Sequence, residues 1–409
     1  MAQHTWVLTD SDRGIHEADF ERTQTRGENV CSVKRRRLQG GVRDGVDTIE
    51  VDNGNFRFVV VPTRGMGLWK GWLGKTEIGW QSPVKGPVHP QFVPLADPSG
   101  LGWLEGFDEL MCRCGLESNG APDFGQDDLY KYVTSNPEKF GLSCAPGPRQ
   151  GAAYKYPLHG RIANRPAHHV ELAIDDASGE MILTGLVDET RFLFQKLRLK
   201  ATYRTRIGQN GLSITDEVTN LSGNPAELQM LYHVNFGAPI LDPGAKVVAP
   251  VKAVVPRDPR AAEGIGTWDS YPNEQAGYSE QVYFFHLLAD GDDMTQVLLK
   301  NAHGTGGVSL RFNKKQLPYF TLWKNTPLAA DGYVTGLEPG TNFPNPRTFE
   351  GDQGRVVKLQ PGATVKFEVH LDVHTDAQAI SSAEAAIAKI QGGAKPNVHS
   401  TPQAGWCKT

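Results

Sequence analysis

Leu197-Arg198-Leu199-Lys200-Ala201-Thr202-Tyr203-Arg204-Thr205-Arg206-Ile207, followed by Gln209-Asn210-Gly211 and then Leu212-Ser213-Ile214, is the stretch on which the fold turns. Leu197, Leu199, Ala201, Tyr203 and Ile207 alternate with Arg198, Lys200, Thr202, Arg204 and Arg206. A period of two sends one set to each face of an extended strand. Asn210-Gly211 can supply the positive φ angles of a tight turn, and Leu212, Ile214 and Val218 resume the alternation beyond it. The pattern predicts a hairpin.

The same alternation returns near the end. Val365, Phe367, Val369, Leu371 and Val373 follow the turn signal Pro361-Gly362. Further strands are expected at 48–61, 168–174, 180–187, 228–236, 246–254, 281–288, 295–300, 307–312 and 318–324. One helix is expected, over 382–391. Ser381 and Glu384 have capping-box spacing at its start and Gly392 stops it. The tail 394–409 reads as a poorly packed extension. Glycine (45 residues) and proline (27) are spread along the chain, which marks many turns. Residues 86–157 are irregular, and long loops on a β scaffold usually carry binding function. No repeat or linker divides the chain. The reading is an all-β fold, one large antiparallel domain over 1–409 with its core at about 45–375 and two packed sheets. A C-terminal helix and tail occupy 376–409.

Composition excludes several classes of function. The net charge of −4 leaves no basic footprint for nucleic acid. Lys34-Arg35-Arg36-Arg37 is the one dense basic cluster, read as a solvated edge strand or loop rather than a phosphate patch. The N-terminus lacks a secretory pattern, and no apolar run reaches membrane-spanning length. No membrane partner and a cytoplasmic location are expected. Five scattered cysteines fit a reducing compartment. Cys112 and Cys114 share a strand face but lack two further ligands, so they read as buried free thiols and no metal is expected.

Three segments depart from ordinary strand-and-turn sequence: Pro157-Leu158-His159-Gly160-Arg161-Ile162-Ala163-Asn164, Leu231-Tyr232-His233-Val234-Asn235-Phe236-Gly237, and Gly336-Leu337-Glu338-Pro339-Gly340-Thr341-Asn342. In the second, His233 and Asn235 share a face and can present an imidazole and an amide to one ligand. Taken alone, a buried structural histidine bonded to a backbone carbonyl is the plainer explanation. In the third, Glu338 lies between Leu337 and Pro339. A carboxylate in a partly apolar place has a raised pKa and serves as a base; a surface loop glutamate is the plainer alternative. A metal site on His159, His168, His169 and a carboxylate is a further, weaker option. No phosphate loop, dinucleotide fingerprint or nucleophile elbow is present.

Leu-His-Gly, Tyr-His-x-Asn-Phe and Gly-Leu-Glu-Pro, in this order, resemble the aldose 1-epimerase (galactose mutarotase) superfamily. Leu317-Pro318-Tyr319-Phe320-Thr321-Leu322-Trp323-Lys324 looks like the aromatic strand before that superfamily's catalytic glutamate. Leu359-Gln360-Pro361-Gly362 looks like the turn into its closing strand. Pro62-Thr63-Arg64-Gly65-Met66-Gly67 and Leu116-Glu117-Ser118-Asn119-Gly120-Ala121-Pro122 look closer to an uncharacterised, mutarotase-like branch. The resemblance runs from about 45 to 375. It implies a β-supersandwich with the site on the concave face of one sheet. It implies that His233 is the general acid, Glu338 the general base and His159 a second site histidine. Arg64, Arg161, Asn164, Asn235 and Trp323 are then candidate contacts to sugar hydroxyls. No cofactor is implied. The chain departs from well-studied mutarotases in carrying Leu-His-Gly-Arg where they carry Leu-His-Gly-Gly. For their acidic sugar contact, Asp242 and Asp269 are the candidates here.

The reaction implied is anomer interconversion of a small carbohydrate by ring opening and closure. Two alternatives stay open. A phosphorylated, uronate or keto sugar would use Arg64, Lys70, Arg161 and Arg165 to meet an anion. A non-catalytic carbohydrate-binding protein would stack sugar on Trp69, Trp72, Trp103 and Trp323.

Overall fold

Lys196–Arg206 and Gly211–Asn220 form the expected hairpin, with Leu199 opposite Val218 and Tyr203 opposite Ile214. The inward set is buried and the charged set is not: Leu197, Leu199, Ala201 and Tyr203 have at most 1% exposure. The computed structural model describes residues 3–26, 29–123 and 156–408. Part of the irregular 86–157 stretch, from 124 to 155, and Cys144 with it, lies outside the described residues.

The hairpin sits in the middle of a sheet of ten strands. Its neighbours are Glu180–Thr190 on one side and Thr364–His374 on the other. A second sheet has fourteen strands among the described residues. Its central order is Gln281–Leu287, Tyr319–Asn325, Val334–Gly340, Ala226–Phe236, Met111–Leu116 and Gly67–Leu73. The pairing between those neighbours is antiparallel throughout. The two sheets pack face to face as a β-sandwich. Leu199, Tyr203, Ile214, Phe367 and Leu371 of one meet Phe58, Met230, Tyr232, Val234 and Leu337 of the other in one apolar cluster. Burying each such side chain contributes roughly 1.5–3 kcal/mol.

One ion pair crosses this core. Arg113 of Met111–Leu116 donates from Nε (2.5 Å) and Nη2 (3.0 Å) to Asp216 of Gly211–Asn220. Tyr232 Oη donates to the same carboxylate at 2.7 Å, and the side chains of Arg113 and Asp216 are wholly buried. So Arg113, Tyr232 and Val234 mark the face that looks at the ten-stranded sheet. Cys112, Cys114, His233 and Asn235 lie on the opposite face by the period of two.

Several expectations need correction. The segments 48–61 and 246–254 are each two strands: Asp47–Asp52 with Phe56–Val61, and Lys246–Val248 with Val251–Pro256. The basic run is no edge. Asn29–Arg37 lies between Phe20–Arg26 and Asp47–Asp52. Arg35 turns inward to Asp47 (2.9 Å), Arg36 pairs with Glu21 (2.8 Å) and Arg37 with Asp47 (3.0 Å), so the run is neutralised locally. The helix starts a turn and a half earlier than Ser381 suggests. It spans Ala377–Gln391, because Asp376 caps it by accepting from the Ala379 amide at 2.8 Å. Gly392 does end it, at φ 56°. The tail is packed rather than loose. Asn397–Val398 adds a parallel strand beside Val251–Pro256. Trp406 stacks 5.2 Å from Phe343, and Cys407 is buried. Among the described residues, no helix is long and apolar enough to cross a membrane.

Candidate active site

Glu338, for which a surface loop was the plainer alternative, lies in the buried strand Val334–Gly340. Pairing with Ala226–Phe236 occurs at Leu231–Gly340 and Val234–Leu337 and lapses between them, where Pro339 has no N–H to give. That register sets Glu338 opposite His233. Glu338 Oε1 is 3.2 Å from His233 Nε2. Both side chains are buried, with 2% and 6% exposure. Gly336 makes the space they occupy. A Cβ there would stand 2.4 Å from Glu338 Oε1 and 3.2 Å from His233 Cε1. Gly336→Ala is therefore expected to push the carboxyl off the imidazole while the sandwich survives. A crystal structure of the variant checks this, and an unmoved Glu338 contradicts it.

The pair forms the floor of a cleft enclosing about 330 Å³, within the range of small-molecule sites. Trp103, Phe107, His159, Thr321 and Trp323 line it among the described residues, with Arg257 and Glu280 at one side. Phe107 and Trp323 stand edge-on to His233, with ring centroids at 5.1 and 5.4 Å. Three buried polar atoms of the lining residues lack a hydrogen-bond partner among the described residues: Trp103 Nε1, Thr321 Oγ1 and Glu338 Oε1. Unpaired buried groups are costly in a folded protein and common where a ligand completes them.

His159 comes from the Leu-His-Gly turn. Gly160 (φ 73°) lets that turn press on the chain, since a Cβ there would fall 2.1 Å from Ser118 O. His159 Nδ1 lies 2.9 Å from Asn119 O, and Asn119 exchanges side-chain amide hydrogen bonds with Asn342. Those residues belong to two of the motifs, which meet here. The imidazole ring is 5.2 Å from that of His233.

Electrostatics follow from this enclosure. Burial pushes the Glu338 carboxyl well above the usual carboxylate range, against the pull of His159. Burial pushes His233 well below the usual imidazole value, and His159 adds to the push. Burial opposes a charge on His159 too, but Cys114, the Asn119 carbonyl and Glu338 outweigh it and hold His159 up at about 9. The sign for stability follows. A carboxyl with a raised folded pKa binds its proton more tightly in the folded state, so stability falls as pH rises above the ordinary value of 4.5. Glu338→Gln should thus stabilise the fold, by a margin that grows from pH 4.5 upward and disappears below it. Urea midpoints at pH 4 and pH 8 measure the difference, and an equal gap at both would contradict the burial argument.

The structure distributes the other candidates unevenly. Trp323 lines the cleft, and its Nε1 donates to Glu280 Oε2 at 2.7 Å. Asn235 lies behind His233, with Oδ1 2.6 Å from Nδ1. Arg64 and Asn164 do not line the cleft. Arg64 is 1% exposed and bonds Glu109 (2.6 Å), Asn164 Oδ1 (2.8 Å) and two backbone carbonyls. Arg161 pairs with Glu117 at 3.0 Å beside a separate, smaller cavity that also holds Arg165. Lys70 pairs with Glu77, and Trp69 donates to Asp108. Asp242 and Asp269 are also away from the cleft; Asp242 accepts from the Ala302 amide. Among the described residues, the acidic group at the cleft besides Glu338 is Glu280, tied to Arg257 at 2.9 Å, and sequence reasoning missed both Glu280 and Arg257. Tyr278-Ser279-Glu280-Gln281 carries no unusual signal, though Glu280 directly precedes a strand whose partner holds Trp323. His168 and His169 pair with Asp188 and Asp10, apart from His159. Among the described residues, no three His, Cys, Asp or Glu side chains gather as a metal site.

A sandwich of two large antiparallel sheets with a cleft on the outer face of one has the fold of the aldose 1-epimerase and galactose mutarotase-like proteins. The chain belongs to the family described as "Domain of unknown function (DUF4432)", matched over residues 43–373. It is similar to a solved protein of Klebsiella pneumoniae subsp. pneumoniae MGH 78578, described as a "putative aldose 1-epimerase". Identity is 34%, the alignment covers 98% of this chain and 100% of that one, and the TM-score is 0.90. Galactose 1-epimerase from Lactobacillus acidophilus NCFM shares the fold at 13% identity, with 84% and 99% of the two chains covered and a TM-score of 0.54. A galactose mutarotase-like protein from Clostridium acetobutylicum does so at 16% identity, 88% and 100% coverage and a TM-score of 0.53. No functionally curated protein sequence matches the chain.

Proposed function

We propose that the protein is an isomerase of the aldose 1-epimerase type that interconverts the anomers of a neutral sugar in the His233–Glu338 cleft. The observation that carries this reading is the 3.2 Å approach of two buried titratable groups on the floor of an aromatic-lined cleft. Burial favours the protonated form of Glu338 and the neutral form of His233, so the pair offers one proton donor and one acceptor. Anomer exchange needs one group to take the proton of the C1 hydroxyl and another to give a proton to the ring oxygen. Such a pair can do both, in either direction. Each positioned proton transfer is worth about 10²–10⁴-fold. The uncatalysed reaction is already measurable in water, so no metal or nucleotide is required by the chemistry.

Charge at the cleft supports a neutral substrate over a phosphate or uronate. Of the basic residues expected to meet an anion, Arg64, Lys70, Arg161 and Arg165, none lines the cleft. The arginine that does, Arg257, is held by Asp258 (2.8 Å) and Glu280 (2.9 Å). Its Nε and Nη2 are already taken by those carboxylates, so it has less to offer a sugar anion. Glu280 is suited to accept hydrogen bonds from sugar hydroxyls. A purely binding protein is less well supported, because burying an unpaired Glu338 carboxyl costs stability that a glutamine would spare.

Coupled polarimetry across neutral aldoses, their 6-phosphates and the corresponding uronates tests the proposal. Faster anomer exchange of a neutral aldose is expected. Acceleration confined to the anionic sugars would overturn the substrate class, and none for any sugar would overturn the reaction.

A further inference from the structure

The side-chain amide of Asn235 is wholly buried behind the imidazole of His233. Its Nδ2 lies 3.0 Å from the carbonyl oxygen of Glu109 and 3.2 Å from that of His233. Carbonyl oxygens only accept, so the nitrogen of the amide must face them. The amide oxygen is thereby turned to His233 Nδ1, at 2.6 Å. An amide oxygen also only accepts, so Nδ1 carries a proton. The support behind this amide is firm. The Asn235 N–H donates to Leu110 O at 2.7 Å, and the Glu109 side chain is clamped by Arg64.

The other ring nitrogen, Nε2, faces Glu338 Oε1. One proton lies between them and has two places to be. On Nε2 it makes an imidazolium and a carboxylate, two charges in a cleft walled by Trp103, Phe107 and Trp323. The carboxylate oxygen would have no hydrogen bond from the described residues other than this one. His159, 5.2 Å from the same ring, opposes a second positive charge there. On Glu338 the proton leaves two neutral groups, which a low-dielectric site prefers.

We infer that Asn235 is a positioning residue that holds His233 with its proton on Nδ1, so that the ligand-free pair starts with Nε2 as proton acceptor and the Glu338 carboxyl as proton donor. These roles are the reverse of those that the motif resemblance implies. The inference deepens the proposed function and, for its chemical step, rests on it. In that step the C1 hydroxyl gives its proton to Nε2 and the Glu338 O–H gives its proton to the ring oxygen. The C1–ring-oxygen bond breaks with its electron pair going to that oxygen, and C1=O forms from the O–H pair. The site is left with imidazolium and carboxylate beside an open-chain aldehyde. Closure on the other face of C1 returns both protons.

The test is 15N NMR of the full chain labelled at histidine, at pH 7 with no sugar present, with His233 assigned by comparison with His233→Gln. Long-range couplings to the ring hydrogens tell Nδ1 from Nε2. The expected spectrum shows His233 with Nδ1 protonated and Nε2 unprotonated. Two protonated nitrogens, or a proton on Nε2 alone, would overturn the inference. Asn235→Asp places a charge at Nδ1 and should drive Nε2 into the protonated range, whereas Asn235→Leu should give a mixture of tautomers. An unchanged His233 in Asn235→Leu would remove Asn235 from its role. Because the spectra need no substrate, a failure to find anomer exchange would defeat the proposed function and leave this result readable.

Discussion

Glu338→Gln is expected to slow anomer exchange by about 10²–10⁴-fold, with sugar affinity little changed. Glutamine keeps the size of the side chain and can turn an amide N–H toward His233 Nε2, but it can neither release nor take a proton at working pH. The surrounding contacts are few. Glu338 Oε1 has no hydrogen bond from the described residues, so the swap breaks no network that shapes the cleft. The proposed binding groups, Trp323, Glu280 and the other lining residues, make no hydrogen bond to the substituted atom. NMR saturation transfer between the anomer signals gives the rate, and titration calorimetry gives the affinity. A variant that exchanges anomers at the parent's rate would remove Glu338 from the chemistry. One that loses affinity and rate together would make it a binding group.

Asp216→Ala is expected to destabilise the fold by about 3–5 kcal/mol. The substitution leaves the Arg113 guanidinium buried between the sheets without its counter-charge. Arg113 Nη1 would keep only neutral acceptors, Met66 O (2.6 Å), Tyr203 Oη (3.2 Å) and Gly65 O (3.4 Å), and Tyr232 Oη would lose its acceptor. Tyr232 adjoins His233 on the same strand, so the defect is expected to reach the cleft floor as well. Replacing both charges, as Arg113→Met with Asp216→Leu, should recover most of the loss, because the desolvation cost disappears with the charges. Denaturant midpoints of the three proteins measure this. A single variant within about 0.5 kcal/mol of the parent, the usual surface range, would mean that the pair contributes nothing to holding the sheets together.

The hairpin and the closing strand were legible because each has one dry and one wet face, and alternation records that directly. The strand that carries Glu338 was not expected because Gly336, Pro339 and Gly340 carry turn signals. Here they serve other ends: Gly336 clears space for a carboxyl, and Pro339 falls where one ladder lapses. Arg64 entered through the motif resemblance, as a candidate sugar contact. Its true setting, inside a cage of Glu109, Asn164 and backbone carbonyls, depends on segments about 45 and 100 residues away. Glu280 and Arg257 were invisible for the same reason in reverse. Their local sequence is ordinary, and only strand pairing brings them to the cleft. The tail looked loose because it lacks periodicity, yet Trp406 and Cys407 pack by single large contacts that no short pattern announces.

The central claim is that the His233–Glu338 pair meets the anomeric centre of a sugar. A crystal structure of Glu338→Gln with a bound aldose tests it most directly, since the slowed variant keeps the ring intact. The C1 hydroxyl and the ring oxygen should lie within about 3.2 Å, one of His233 Nε2 and the other of the residue 338 amide. A sugar bound with its anomeric carbon turned away from both groups would contradict it.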